Sequence, residues 1–540
     1  MTSSDAGTWD VIVVGSGGGL LGALFAASRG LRTLVLEKTD KVGGTTAYSG
    51  AGLWYPGSAP IARAGIEDDD IEAGRTYLRS VVDDQAREKL QDAYLDAGVA
   101  LIDELEQNEW FPDFTHMPVP DYFAGVPGAT FMGRTVFPAP VPVAELGAEA
   151  DLVRRPLFTE RFGIDEGEVW TGGRALIGRA LKAFLGTGNG ELRTDTTLES
   201  LIVEDGRVVG VVAVRDGVRS DLRAERGVLL AAGGFERNAE LRTEHQALTG
   251  EWSNGAPQNT GDAIVAGIAV GADTELMDEA WFVPGVLQPD GKPLFHTGTR
   301  GGIWVNADGE RFVNETSPYD QSGHVIAHAH KTSEVSHVPT HWVFDQRAMD
   351  RFGYGGDPAA GPSPEWFDSG ALRKADTLDE LAELIGVPID GLQASVEQFN
   401  KYAASGVDEQ FHRGETPWDL MCAYIVGFPG GGWSGAAMNY LIEPDPELPN
   451  QLLVPMDQPP YYAGQVLLSD IGTKGGLRTD ADARVLRADD TAIPGLYATG
   501  NTMAAMSGRV YPGAGTPIGS SIAFSYRAVL HLASGSSDGA

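Results

Sequence analysis

The chain has 540 residues, 42% of them hydrophobic and 21% charged, the profile of a water-soluble globular protein too long for one ordinary core. Its formal charge of −35 excludes a nucleic-acid partner, which demands a basic footprint, and its single cysteine, Cys422, excludes intrachain disulfides, thiolate metal clusters and a haem attachment pair. Residues 1–9 lack a signal-peptide pattern and no run reaches ~18 apolar residues, so no membrane span, no metal and a cytoplasmic location are the expectations.

The first elements form a βαβ unit. Val11–Val14 is a short apolar run ending at Gly15, a helical pattern covers Leu20–Ser28, and Thr33–Leu36 reads as a second strand. Residues 68–107 read as helical. Asp205-Gly206 marks a hairpin within Leu198–Val214, Arg226–Ala232 reads as a strand closing on Gly233-Gly234, and Asp308-Gly309 predicts a second hairpin across Gly302–Asn314. A helix is predicted over 378–403 and a long irregular loop over 426–460. Gly495–Thr499 then predicts a strand running into Gly500-Asn501, and Ser520–Ala533 a helix. Nucleotide-type punctuation thus stands at both ends. The reading is an α/β protein with a discontinuous, Rossmann-like domain over 1–280 and 456–540, and an inserted α+β substrate domain over 281–455.

The turn Gly15-Ser16-Gly17-Gly18-Gly19 follows a strand and opens a helix, which is the context a dinucleotide needs. Gly15 makes the tight turn, Gly17 admits the pyrophosphate, and the helix N-terminus supplies oriented N–H groups. Glu37, with Lys38 beside it, ends the second strand where a carboxylate can accept from a ribose hydroxyl. Leu20 occupies the third fingerprint position, and Gly19 and Gly22 are the candidates to restore clearance. The small residues Gly43, Gly44, Thr45, Thr46, Ser49 and Gly50 offer free N–H groups to a cofactor longer than NAD. Ala232, Gly233, Gly500 and Asn501 add further strand-to-glycine turns. Thr516 reads as a helix N-cap followed by Pro517 and Ile518, whose dipole suits charge on a reduced flavin.

The runs Gly43-Gly44-Thr45-Thr46-Ala47-Tyr48-Ser49-Gly50, Arg311-Phe312-Val313-Asn314-Glu315 and Tyr511-Pro512-Gly513-Ala514-Gly515 together resemble 3-ketosteroid Δ1-dehydrogenases, within a flavoprotein class that includes soluble fumarate reductases. The resemblance runs from residue 8 to about 533. It implies noncovalent FAD, consistent with the absence of histidine from 43–50, and removal of hydrogen from carbons 1 and 2 of a 3-ketosteroid A ring during steroid catabolism. By the same resemblance Tyr319 takes the proton from carbon 2, Tyr122 assists it, and Tyr511 with the Gly515 amide holds the carbon 3 carbonyl oxygen. A Δ4-(5α)-dehydrogenase, a fumarate reductase-like enzyme and an idle FAD-binding protein are the alternatives. Fumarate reductases carry an arginine where Thr316, Ser317, Pro318 and Tyr319 stand, so a neutral ketone fits better than a dicarboxylate. Trp281, Phe282, Phe295 and Trp304 are candidates for an apolar slot or for plain core. With no nicotinamide domain visible, an external acceptor such as a quinone is expected to reoxidise the flavin. The loop over 426–452 reads as a determinant of steroid preference.

Overall fold

A computed structural model describes residues 7–164, 167–354, 361–426 and 440–535. The first sheet is built from both ends of the chain. Thr8–Val14 lies at its centre, parallel to Thr33–Leu36 on one side and to the second half of Val218–Leu230 on the other. Gly190–Arg193 and Ala492–Ala498 continue it in parallel outwards. Its central strands are Val- and Leu-rich and buried on both faces, as parallel strands covered by helices must be. The helices Gly18–Ser28 and Thr516–Ser534 pack together on this sheet.

The Asp205-Gly206 hairpin forms as predicted, both residues at positive φ, and joins Thr196–Glu204 to Arg207–Arg215. The second predicted hairpin does not form. The Asp308-Gly309 turn exists, but Ile303–Val305 pairs instead with Thr340–Asp345, and only a Val305–Arg311 bridge links the two arms of the turn. Helix 68–107 is two helices, Ile71–Val81 and Glu88–Glu106. Extended backbone at Val82 and Asp84 separates them, with Asp84 accepting from the Ala86 N–H. Helix 378–403 is likewise two, Leu378–Ile385 and Ile389–Ser405, broken at Gly386 and Pro388.

The second sheet is antiparallel, ordered Pro293–Phe295, Ala280–Leu287, Tyr461–Thr473, Thr340–Asp345, Ile303–Val305, with Leu372–Ala375 also on the long strand. In chain order Ala280–Leu287 is its first strand and Tyr461–Thr473 its last. Gly430 to Trp433, the core of the expected long loop, lie outside the described residues. Among the described residues no helix is long and apolar enough to cross a membrane.

Candidate active site

A cavity of about 510 Å³ runs along the carboxyl ends of the parallel strands and on under the second sheet. Of the residues singled out in the sequence, Gly15, Ser16, Gly17, Gly18, Glu37, Lys38, Gly44, Thr45, Thr46, Ser49, Gly50, Ala232, Gly233, Gly500, Asn501, Gly515, Pro517, Ile518, Tyr319 and Tyr511 all line it. Gly19, Gly43 and Tyr122 do not. A Cβ on Gly19 would meet Ala231 Cβ at 2.7 Å and Val13 at 3.0 Å, so this glycine brings the first helix onto the sheet. Gly22 does the same against Ser525 and Leu229, which is how Leu20 is tolerated at the third fingerprint position. Gly43 sits at φ +112, opening the Gly44–Tyr48 helix.

The nucleotide end is built around Ser16 and Glu37. The Ser16 hydroxyl donates to Glu37 and accepts the Gly43 N–H at 2.9 Å, tying the glycine turn to the end of the second strand. Lys38 is committed elsewhere, bonded to Asp262 at 2.7 Å and Thr260 at 2.8 Å, so it walls the cavity without a free cation. Arg154 carried no local signal. It is buried on the cavity wall beside Tyr48 and Thr39, and its Nε finds no acceptor among the described residues. A buried orphan N–H on a guanidinium fits an anionic or oxygen-rich ligand.

The expectation that Thr516 caps the C-terminal helix is corrected. Gly515 occupies that position at φ +96, and the Thr516 hydroxyl instead donates to the Gly513 carbonyl at 2.8 Å. Only glycine fits, because a Cβ there would lie 2.4 Å from the Gly52 carbonyl. The helix N-terminus, with its positive dipole end, faces the cavity through Gly515, Pro517 and Ile518.

Three tyrosines from three distant segments converge here. The Tyr122 hydroxyl donates to the Tyr319 oxygen at 2.6 Å, and Tyr319 donates to Tyr511 at 3.1 Å. All three are buried. Tyr319 and Tyr511 face the cavity, while Tyr122 stands behind them. Their spacing is held by backbone bonds: Tyr122 N–H donates to the Pro512 carbonyl at 3.0 Å, and Gln321 Nε2 donates to the Tyr122 carbonyl at 2.8 Å. Each tyrosine's loop is thus pinned to the next one's. Beneath Tyr122, buried Asp121 accepts from Trp54 Nε1 at 2.8 Å and from Arg134.

The Tyr319 segment is anchored by buried charge. Glu315 accepts from Arg311 at 2.7 and 2.8 Å, from Arg413 at 3.1 Å and from the Trp304 N–H at 3.0 Å. Pro318 then keeps the backbone extended, and Tyr319 begins the helix Tyr319–Thr332. Burial pushes the Tyr319 hydroxyl up to about 12, the hydrogen bonds it shares with Tyr122 and Tyr511 hold it down, and the Asp320 charge opposes them. Burial drives Tyr122 and Tyr511 far above their ordinary value, with the Gly515 amide pulling Tyr511 back. Tyr319 is the only one of the three that both neighbours help to ionise.

Of the four aromatic candidates, only Phe295 lines the cavity, edge-on to Tyr319 at 4.9 Å. Trp281 packs behind Tyr511, and Phe282 and Trp304 are core. The far arm of the cavity is walled by Leu294, Trp342, Phe352, Tyr354 and Trp366. Those residues share no periodic pattern in sequence.

A family model described as an FAD binding domain matches residues 10–518. The 3-oxosteroid 1-dehydrogenase of Mycobacterium tuberculosis (strain ATCC 25618 / H37Rv) is 38% identical, over 97% of this chain and 98% of that one. The chain belongs to the 3-ketosteroid Δ1-dehydrogenase family of FAD-dependent enzymes. Within it, the 3-ketosteroid delta1-dehydrogenase from Sterolibacterium denitrificans, solved in complex with 1,4-androstadiene-3,17-dione, superposes with a TM-score of 0.87 at 34% identity, covering 98% of this chain and 99% of its own. The 4-oxocyclohexanecarboxylate 2-dehydrogenase of Sinomonas cyclohexanicum is also similar, 35% identical over 99% of this chain and 95% of its own. FAD is therefore the cofactor, and the glycine turn, the orphan Arg154 N–H and the unbroken run of cavity from Glu37 to Tyr511 are chemically suited to it.

Proposed function

We propose that this protein introduces a double bond between carbons 1 and 2 of a 3-ketosteroid. The observation that carries the reading is the linked hydroxyls of Tyr122, Tyr319 and Tyr511, set in a cavity that continues into the nucleotide site. The parallel sheet drawn from both chain ends is, in this reading, a discontinuous Rossmann-like FAD domain in a cytoplasmic enzyme, and the antiparallel sheet is the inserted α+β domain.

The Tyr511 hydroxyl and Gly515 N–H hold the carbon 3 carbonyl oxygen. Each such donor, aimed where charge develops in a dry site, is worth roughly 3–4 kcal/mol to the enolate-like transition state. Tyr319, as the phenolate, takes the proton from carbon 2. Tyr122 donates to that phenolate before the transfer and stabilises it. When bound, FAD supplies a two-electron acceptor for the hydride leaving carbon 1. Arg154, Ser16 and Glu37 would hold its nucleotide half. The aromatic far arm excludes water from the reacting face and makes room for fused rings; a single-ring ketone would leave it empty. The stretch Thr316–Tyr319 carries no arginine where the fumarate reductases have one, which disfavours fumarate-type chemistry.

The test is anaerobic mixing with androst-4-ene-3,17-dione, with succinate and 4-oxocyclohexanecarboxylate as controls. Bleaching of the bound flavin by the steroid, with a product two mass units lighter and unsaturated at carbons 1 and 2, is the expected result. Bleaching by a control alone, or a new double bond anywhere other than between carbons 1 and 2, overturns it. We further propose a quinone as electron acceptor, expected to speed stopped-flow reoxidation of the reduced enzyme; no gain over buffer counts against it.

A further inference from the structure

Behind the tyrosines lies a buried ionic cluster that the scheme above leaves unused. Lys474 has no exposed surface. Its Nζ donates to the Arg509 carbonyl at 2.7 Å, stands 3.5 Å from Asp320 Oδ1 and lies 4.6 Å from the centre of the Trp281 ring. Each partner touches the reacting machinery. Asp320 follows Tyr319 directly, Arg509 precedes Tyr511 by two residues, and the Trp281 ring meets Tyr511 edge-on at 5.0 Å. One ammonium therefore spans the helix that carries the base and the loop that carries the carbonyl clamp.

The charge arrangement gives this contact a consequence. Asp320 is the residue that follows Tyr319, and in a low-dielectric interior its carboxylate charge works against negative charge on the Tyr319 oxygen. Lys474 offsets that carboxylate from within the same cluster. The other ionisable groups facing it are His324, 3.3 Å from Asp320 and 3.0 Å from Glu279, then Glu279 itself, which pairs with Arg509 at 2.5 Å, and Asp278, outside Arg509. Of these, Lys474 alone contacts both tyrosine segments.

We propose that Lys474 is a positioning residue for the dehydrogenation: it fixes Tyr319 relative to Tyr511 and neutralises Asp320, so that negative charge can form on the Tyr319 oxygen and on the substrate carbonyl. The proposal rests on the dehydrogenase reading. Wild-type turnover of androst-4-ene-3,17-dione is therefore measured first, and its absence overturns that reading, whereas the variants address Lys474 alone.

The holoenzyme is prepared as wild type, K474M, K474R, D320N and the K474M/D320N double variant, with kcat, KM, pH–rate profile, FAD content and melting temperature recorded for each. K474M is expected to lose about 100-fold in kcat with KM within about threefold, and to have its profile displaced towards higher pH by about one unit. K474R should recover at least about tenfold of that loss, because it restores the cation. In the double variant the profile should return towards wild type, because the carboxylate that Lys474 offset is gone as well. A kcat within about threefold of wild type, a profile that stays put, or a loss that follows FAD content and is not recovered by arginine overturns the proposal. Should K474M fail to accumulate, D320N alone decides: removing the opposing carboxylate must shift the profile to lower pH, and an unmoved profile overturns the idea.

Discussion

Replacing Tyr122 by phenylalanine removes one hydroxyl and little else. Its ring would keep the edge-on contact with Trp418 at 4.9 Å, and its N–H would still reach the Pro512 carbonyl. What is lost is the bond donated to Tyr319 at 2.6 Å. A hydrogen bond to a charged oxygen contributes about 1.5–3 kcal/mol, and at 1.36 kcal/mol per pKa unit that is about 1–2 units. Tyr319, already raised to about 12 by burial, would move higher still. At any pH below that value the phenolate fraction falls with it, so the rate should drop about 10–100-fold. The assay is the anaerobic rate of flavin bleaching by androst-4-ene-3,17-dione in stopped flow, from pH 6 to about 9.5, on protein matched for FAD content. Wild type and variant should both speed up with pH, the variant slower throughout, with steroid affinity unchanged. A variant as fast as wild type, or a wild-type rate flat across that range, would refute Tyr319 as the base assisted by Tyr122.

Four further outcomes follow from the same geometry. Tyr511→Phe removes one of two donors to the carbonyl oxygen and should cost about 10²–10³ in bleaching rate; an unaltered rate contradicts the clamp. Gly15→Ala places a Cβ 2.3 Å from the Ala231 carbonyl oxygen at φ +100, so the purified protein should carry far less FAD, and stoichiometric flavin would argue against the turn's assigned role. Glu315→Gln leaves the Arg311 and Arg413 guanidiniums buried without their shared carboxylate, a loss of about 3–5 kcal/mol visible in chemical denaturation; an unchanged midpoint would show the cluster to be dispensable. Stability should also decline in alkali. The folded values of Tyr55, Tyr94, Tyr122 and Tyr511 lie well above the unfolded one near 10. Their contribution is therefore whole below about pH 10 and is lost as pH rises from there towards the folded values. A denaturation midpoint at pH 11 equal to that at pH 9 would contradict their burial.

The opening βαβ unit was legible almost to the residue because its signals are local: an apolar run, a glycine at positive φ and a buried helix. The second sheet was not. The turn at Asp308-Gly309 was read correctly from its chemistry, yet the partner of Ile303–Val305 lies about forty residues further on, and a local pattern holds no record of non-local pairing. The same limit applies to the site. Motif resemblance named Tyr122, Tyr319, Tyr511 and Gly515, but nothing in their neighbourhoods says that residues 122 and 319 meet, or that Gly515 and not Thr516 opens the last helix. Arg154 and Lys474 were invisible, since a lone cation in sequence is ordinarily a solvated one.

What the structure adds is the reason such distant residues can be held to hydrogen-bonding tolerance. The three tyrosines stand on loops or at a helix start, where no ladder of backbone bonds fixes position. Each is instead backed by a buried ion pair: Asp121 with Arg134 beneath Tyr122, Glu315 with Arg311 and Arg413 before Tyr319, and Lys474 with Asp320 between Tyr319 and Tyr511. Apolar packing would be as stable or more so, because desolvating charges is costly. Packing is non-directional, however, whereas paired and hydrogen-bonded charges have one geometry that satisfies them. The proposed reaction, with one phenol and an amide on the carbonyl and a second phenol at the neighbouring carbon, places its demand on that geometry, and the ion pairs lie where the demand falls.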